Sequence, residues 1–128
     1  MRILLDSHTL VWDVIGDERL PEGVRELVDD PRTRIVLSVA TIWELTLKAL
    51  GGRLRLPEPP AAFFEALVGD VRFEVLPIEQ RHVRALAELP DIHDDPFDRM
   101  LVAQALVEDL DLVTGDERIR SYPVRTIW

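Results

Sequence analysis

Ile3-Leu4-Leu5 and Ile35-Val36-Leu37 are unbroken apolar runs of only three residues, and each stops at a polar residue, Asp6 in the first case and Ser38 in the second. A strand with one wet face alternates apolar and polar side chains; a strand with no wet face does not. Runs this short call for strands covered on both sides. Residues 2 to 6 and Arg34 to Ser38 are therefore assigned as buried strands, with Phe73 to Leu76 a third and Leu110 to Thr114 a fourth. Val124 to Ile127 is a short fifth candidate. Helical patterns fill the intervals. Ser7 can cap a helix carrying Leu10, Val11, Val14 and Ile15, and Leu20-Pro21-Glu22 opens another that runs to about Asp29. Ser38 can cap a third, ended by Gly51-Gly52. Pro57, Pro59 and Pro60 stiffen the connection to a helix over Ala61 to Val68. Ile78 to Leu89 is predicted to turn Val83, Leu86, Ala87 and Leu89 inward and to leave His82 on its surface. Asp95-Pro96 starts the last long helix, which runs to about Asp109. Strands alternating with helices in this way specify an α/β fold with a mostly parallel sheet covered on both faces.

The 128 residues, 47% of them apolar, suffice for one globular domain spanning 1–128. Cysteine is absent, which excludes disulfides, thiolate metal sites and cysteine nucleophiles. Asp6 ends the first apolar run too early for a signal peptide or membrane span, so a cytoplasmic protein without membrane association is expected. Twenty-four acidic against fifteen basic residues give a formal charge of −9. That is the wrong sign for a protein holding nucleic acid by phosphate neutralisation alone. It is compatible with an enzyme whose acidic cluster is offset by bound metal and whose rim carries Arg or Lys.

Four carboxylates share one kind of position. Asp6 ends the first strand and Asp116 follows the fourth, within Thr114-Gly115-Asp116-Glu117; Glu44 and Asp98 lie in the first two turns of helices. In parallel sheets these positions converge outside the carboxyl ends of the strands. Each also has a plain structural account. Asp6 can cap the following helix, although Ser7 can do so instead. Glu44 is spaced for an i,i+4 pair with Lys48, worth about 0.2–0.5 kcal/mol. Asp95 caps its helix and Asp98 sits at N3 near the positive dipole end, yet Asp98 shares a face with Leu101, Val102 and Ala105 and should point inward. Thr114 and Glu117 have capping-box spacing, which leaves Asp116 unassigned. Four carboxylates meeting in one place need a cation, and oxygen ligands favour Mg²⁺ or Mn²⁺. His8, His82 and His93 form no zinc signature; His93 sits just before the acidic start of the Asp98 helix, close enough in sequence to approach the site. Ser7 and Thr114 can hydrogen-bond a carboxylate, and Arg99 and Lys48 are candidates for phosphate contact or for pairing with nearby acids. No nucleophile elbow, phosphate loop or dinucleotide fingerprint occurs.

In their order and spacing, Leu4-Leu5-Asp6-Ser7-His8, Ser38 to Glu44, Asp95-Pro96-Phe97-Asp98-Arg99 through Ala105, and Leu112 to Glu117 resemble PIN-domain ribonucleases, and more narrowly the VapC-type toxins of bacterial toxin–antitoxin pairs. The resemblance covers residues 2 to 128. It implies a three-layer α/β/α fold and a Mg²⁺ or Mn²⁺ site built from Asp6, Glu44, Asp98 and Asp116, with Ser7 and Thr114 close by. It also implies endonucleolytic cleavage of RNA leaving 5'-phosphate and 3'-hydroxyl ends, a homodimer, and neutralisation by a cognate antitoxin through which operator DNA becomes an indirect partner. One departure stands out: Asp94 is acidic where similar sequences often carry a basic residue, which is expected to lower RNA affinity on that rim. Two other classes compete. A phosphoacceptor receiver domain is also small, acidic and Mg²⁺-using, but wants paired acids at the first strand and a lysine at a later one. A catalytically inactive interaction domain would use Trp43 and its apolar helix.

Overall fold

A computed structural model describes residues 1–128. Five strands, β1 (Arg2–Leu5), β2 (Arg34–Ser38), β3 (Phe73–Leu76), β4 (Asp111–Val113) and β5 (Thr126–Ile127), form one sheet in the order β3-β2-β1-β4-β5, and every pairing is parallel. Seven helices join them: α1 (Ser7–Ile15), α2 (Glu22–Asp29), α3 (Val39–Leu50), α4 (Pro60–Gly69), α5 (Gln80–Ala87), α6 (Pro96–Glu108) and α7 (Glu117–Arg120). The architecture is the α/β/α sandwich that the apolar runs require. No helix is long and apolar enough to cross a membrane.

Register explains why the runs are continuous. Ile3 pairs with Ile35 and Leu5 with Val113, and these residues face a core shared with Leu10, Val24, Val28, Ile42, Leu45, Phe63 and Leu67. Leu4 pairs with Val36 and Leu112, and these point the other way, onto Leu101, Val102, Ala105, Ile119 and Tyr122. Alternate side chains of one strand therefore feed two cores. Leu4 and Leu5 are both fully buried, on opposite faces. From β1 the chain builds outward through β2 to β3, then returns across the sheet to place β4 on the other side of β1. The direction of winding reverses between β1 and β4, and a crevice opens beyond their carboxyl ends.

One helix differs from expectation. His82 is fully buried, whereas Val83 is 51% exposed and Ala87 is exposed as well. The inward side of α5 is polar because His82 works as its cap: His82 Nδ1 accepts from the Glu79 amide at 3.0 Å, and Nε2 lies 2.9 Å from Glu108 on α6. Next to it runs a buried polar chain. Gln104 on α6 accepts from the Ser38 hydroxyl at 2.5 Å and donates to the Pro77 carbonyl at 3.2 Å, while Ser38 accepts from the Ala40 amide at the start of α3. Gln104 thus ties the ends of β2 and β3 to α6, the helix that carries Asp98. Replacing it by Leu keeps the volume and leaves the Pro77 carbonyl and one bond of Ser38 unmade. Gln104→Leu should lower unfolding free energy by about 2–4 kcal/mol. A denaturant midpoint equal to that of the parent protein would show that the chain bears no such load.

Candidate functional site

The crevice beyond β1 and β4 collects the acids from four elements. Asp6 follows β1, is 4% exposed, and its Oδ1 caps α1 by accepting from the Thr9 amide at 2.8 Å. Ser7 is therefore not the cap. Its hydroxyl, freed from that duty, donates to Glu44 Oε1 on α3. Glu44 is also 4% exposed, and Lys48 Nζ lies 2.8 Å from its other oxygen, so the expected i,i+4 pair forms around a buried carboxylate. Asp95 caps α6 through the amides of Phe97 and Asp98, at 2.8 and 3.1 Å, which leaves the Asp98 side chain free to face the crevice. Asp116, not Thr114, caps α7, accepting from the Arg118 amide at 2.8 Å. Thr114, fully buried, accepts from the Asp116 amide at 3.0 Å and fixes the turn.

His93 sits at the centre. Its Nε2 lies 3.1 Å from Asp98 Oδ2 and 3.0 Å from Asp116 Oδ2, while its Nδ1 accepts from the Asp95 amide at 3.0 Å. An amide that donates to Nδ1 puts the imidazole proton on Nε2. His93 is thus arranged as a donor that holds two carboxylates. A second fixture is its backbone amide, which donates to the Tyr122 hydroxyl at 2.8 Å. The signal in the sequence was its place two residues before the cap of α6. It was weak, because a loop histidine there has many other uses. Arg99 does not face the crevice: it donates to the carbonyls of Pro90 at 3.0 Å and Leu86 at 3.4 Å and to the Tyr122 hydroxyl at 3.1 Å. Its part is to tie α6 to the loop that carries His93.

Crowding changes the acids. Asp98 is pushed up to about 7 by burial first, then by the charges of Asp95 and Glu44, with Asp6 adding to them and His93 opposing. Burial pushes Asp116 upward too, but the His93 bond and the Arg118 amide outweigh it and hold its carboxyl below the usual range. Ligand atoms of His93, Asp98 and Asp116 lie within 4.8 Å of one another. Asp6 shares a cleft wall with Asp116, and Glu44 acts on Asp98 through its charge. Burial and like charge both disfavour the ionised form of Asp98, and a cation would relieve the second. The site's carboxylate oxygens suit a hard divalent cation. Glu79, His82 and Glu108 form another compact group, but Arg81 bonds to both of its carboxylates and supplies the countercharge.

Two openings lead from the acids. A cleft of about 440 Å³ is lined by Asp6, His8, Trp12, Gly115, Asp116 and Trp128. Sharing His8 and Trp12 with it is a groove of about 330 Å³ that carries Ser7, Arg19, Lys48, Arg53 and Arg55. Four basic side chains in one groove are notable in a chain of charge −9. The cleft of about 480 Å³ around Asp30, Arg32 and Arg72 lies at the amino-terminal edge of the sheet, and there Arg32 pairs with Asp30 and Arg72 with Asp70.

Known proteins share this fold. The chain is 29% identical over 131 residues to Ribonuclease VapC22 of Mycobacterium tuberculosis, with 98% of each chain covered. VapBC2 from Rickettsia felis, solved with a DNA fragment from its promoter, matches with a TM-score of 0.74 at 15% identity, over 100% of this chain and 99% of that one. DNA-bound VapBC from Salmonella typhimurium matches with a TM-score of 0.72 at 24% identity, over 99% and 97%. At these identities the structural likeness is one of fold. A family model for the PIN domain matches residues 3–124, so the chain belongs to the PIN-domain family.

Proposed function

We propose that this protein is a divalent-metal-dependent endoribonuclease acting as the toxin of a toxin–antitoxin pair, with residues 1–128 as its catalytic unit and the cytoplasm as its place of action. The observation that carries the reading is the acid cluster at the β1–β4 crevice, where the charges of Asp95, Glu44 and Asp6 add to the burial that raises Asp98. Asp6, Glu44, Asp98 and Asp116 would hold Mg²⁺ or Mn²⁺. When bound, the cation supplies Lewis acidity toward a phosphate oxygen and acidifies a water. The remaining duties fall to the chain. Ser7 and Lys48 hold the Glu44 carboxylate, and His93 holds Asp98 and Asp116. Arg53 and Arg55 give an RNA backbone a cationic approach. Hydrolysis adds a water oxygen to phosphorus and releases the 3'-oxygen, which takes up a proton. Glu44 and Asp98 stand on helices, and the first strand ends in one acid only, which favours this chemistry over that of a receiver domain.

A cognate antitoxin is the proposed inhibitor, since solved structures of like fold include VapBC complexes; two of these are bound to DNA, which would reach this chain only through the antitoxin. A homodimer is proposed as well. Trp43, Leu47 and Leu50 on α3 are 55%, 44% and 71% exposed, an apolar stretch that a second copy can cover.

Three outcomes check the reading. RNA cleavage by the purified protein should require Mg²⁺ or Mn²⁺, stop in chelator, and fall roughly 100-fold or more in Asp98→Asn. Equal cutting by that variant would sink the mechanism. Arg53→Ala with Arg55→Ala should flatten the dependence of log Kd on log salt for single-stranded RNA by about 1.4, at roughly 0.7 per lost phosphate contact; an unchanged slope would place the RNA elsewhere. The third outcome concerns pH. Asp98 has a folded-state pKa of about 7, raised above its unfolded value, so the metal-free protein loses stability as pH rises from about 4 through 7. Asp98→Asn lacks this loss. Without metal its thermal midpoint should therefore climb relative to the parent as pH rises, and saturating Mg²⁺ should narrow the gap by stabilising the parent. A gap independent of pH would refute the crowding on which the site rests.

A further inference from the structure

The cleft that exposes Asp6 and Asp116 has an aromatic wall. Trp12 and Trp128 lie with ring centroids 6.0 Å apart and planes tilted by 47°, and the His8 ring is 5.8 Å from Trp12. Trp12 is anchored: its body packs on the larger core, and the Arg19 guanidinium lies 4.8 Å over its ring. Trp128 is different. It remains 41% exposed although an indole has much to gain from burial, and it lines the same cleft as the acids. The chain also makes room for it. A Cβ on Gly115 would come within 2.6 Å of Trp128 Cε2 and 2.9 Å of its Nε1, so only glycine lets the ring lie against the backbone beside Asp116.

A partly open indole held against the residue next to an acid of the site has one natural use when the substrate is a nucleic acid. Every base has a π-face, and a base unstacked from its neighbours can stack on an indole whatever its identity. We propose that Trp128, backed by Trp12, is a stacking platform for a nucleobase next to the scissile phosphate, and that it favours single-stranded RNA over duplex. The inference rests on the ribonuclease reading and specifies the substrate form of that site. The cleft adjoins the basic groove, with His8 and Trp12 lining both, so a strand whose base rests on Trp128 can run its phosphates past them toward Arg53 and Arg55. A protein segment would also find the wall adhesive. RNA is favoured because the wall shares its cleft with Asp6 and Asp116.

The test uses Asp98→Asn protein with Mg²⁺, so that strands bind without being cut. Six-nucleotide adenosine and uridine strands are titrated by intrinsic tryptophan fluorescence and by anisotropy, beside a series of the same strands with one abasic position moved along the chain and a short RNA duplex. Binding should quench tryptophan emission and favour single strands over the duplex. Adding Trp128→Ala should weaken the intact strands about tenfold, and Trp128→Phe should restore most of the loss. One or two adjacent abasic positions should weaken the Trp128 protein while leaving the Trp128→Ala protein unaffected, a coupling that general loosening of the fold would not produce. Equal affinity of the Trp128 and Trp128→Ala proteins, or loss without coupling to any abasic position, overturns the platform and leaves the ribonuclease reading standing. Absence of RNA binding by every variant, with no metal-dependent cleavage by the parent protein, removes both.

Discussion

Mutual repulsion among carboxylates at the mouth of the sheet is the constraint around which the rest of the molecule is arranged. Asp6, Glu44, Asp98 and Asp116 arrive from four separate elements into a region where Asp6 and Glu44 are almost dry. Charges taken out of water in this way destabilise the fold unless partners meet them. Each acid has at least one. Thr9 and Arg118 amides hold Asp6 and Asp116, Ser7 and Lys48 hold Glu44, and His93 spans Asp98 and Asp116. Asp98 has only the share of His93 that Asp116 leaves it, and burial with the charges of Asp95 and Glu44 pushes its carboxyl up to about 7.

The fold was legible because the apolar runs leave little choice. Ile3-Leu4-Leu5 must bury adjacent residues on opposite faces, and only a sheet covered on both sides does that. The division of labour at helix starts was not legible. Ser7 and Asp6 are both good caps, as are Thr114 and Asp116, and sequence cannot say which side chain turns back to the amides. In both pairs the aspartate caps its helix with one oxygen and still faces the crevice, while the hydroxyl goes to a neighbour. Local capping and a place in the site are thus two uses of one carboxylate. Capping duty therefore does not take either carboxylate out of the crevice.

His82 was misplaced for a related reason. His82 lies in a helix whose apolar residues suggested the opposite inner face, and the pattern failed because a capping histidine took the core position that periodicity assigned to Val83 or Ala87. His93 carries no periodic signal at all, being in a loop. Its role depends on Tyr122 and Asp116, which are distant in sequence, and on Arg99, which ties the loop to α6. Long-range hydrogen bonds leave no trace at fixed spacing. The same limit hid the true duty of Arg99.

Charge balance then links these pieces to the chemistry. A net charge of −9 excludes adhesion to RNA by bulk attraction, yet Arg19, Lys48, Arg53 and Arg55 gather in the groove that meets the acids at Ser7 and His8. Arg19 is tied to Asp17 and Lys48 to Glu44, so the two arginines between α3 and α4 supply the groove's uncommitted charge. Attraction confined to one groove within a repelling surface selects for approach along that groove. A polyanion drawn there is delivered beside carboxylates that would repel it. A divalent cation held by Asp6, Glu44, Asp98 and Asp116, as proposed above, would offset those acids and supply positive charge where a phosphate arrives, so that metal and substrate would favour each other's binding.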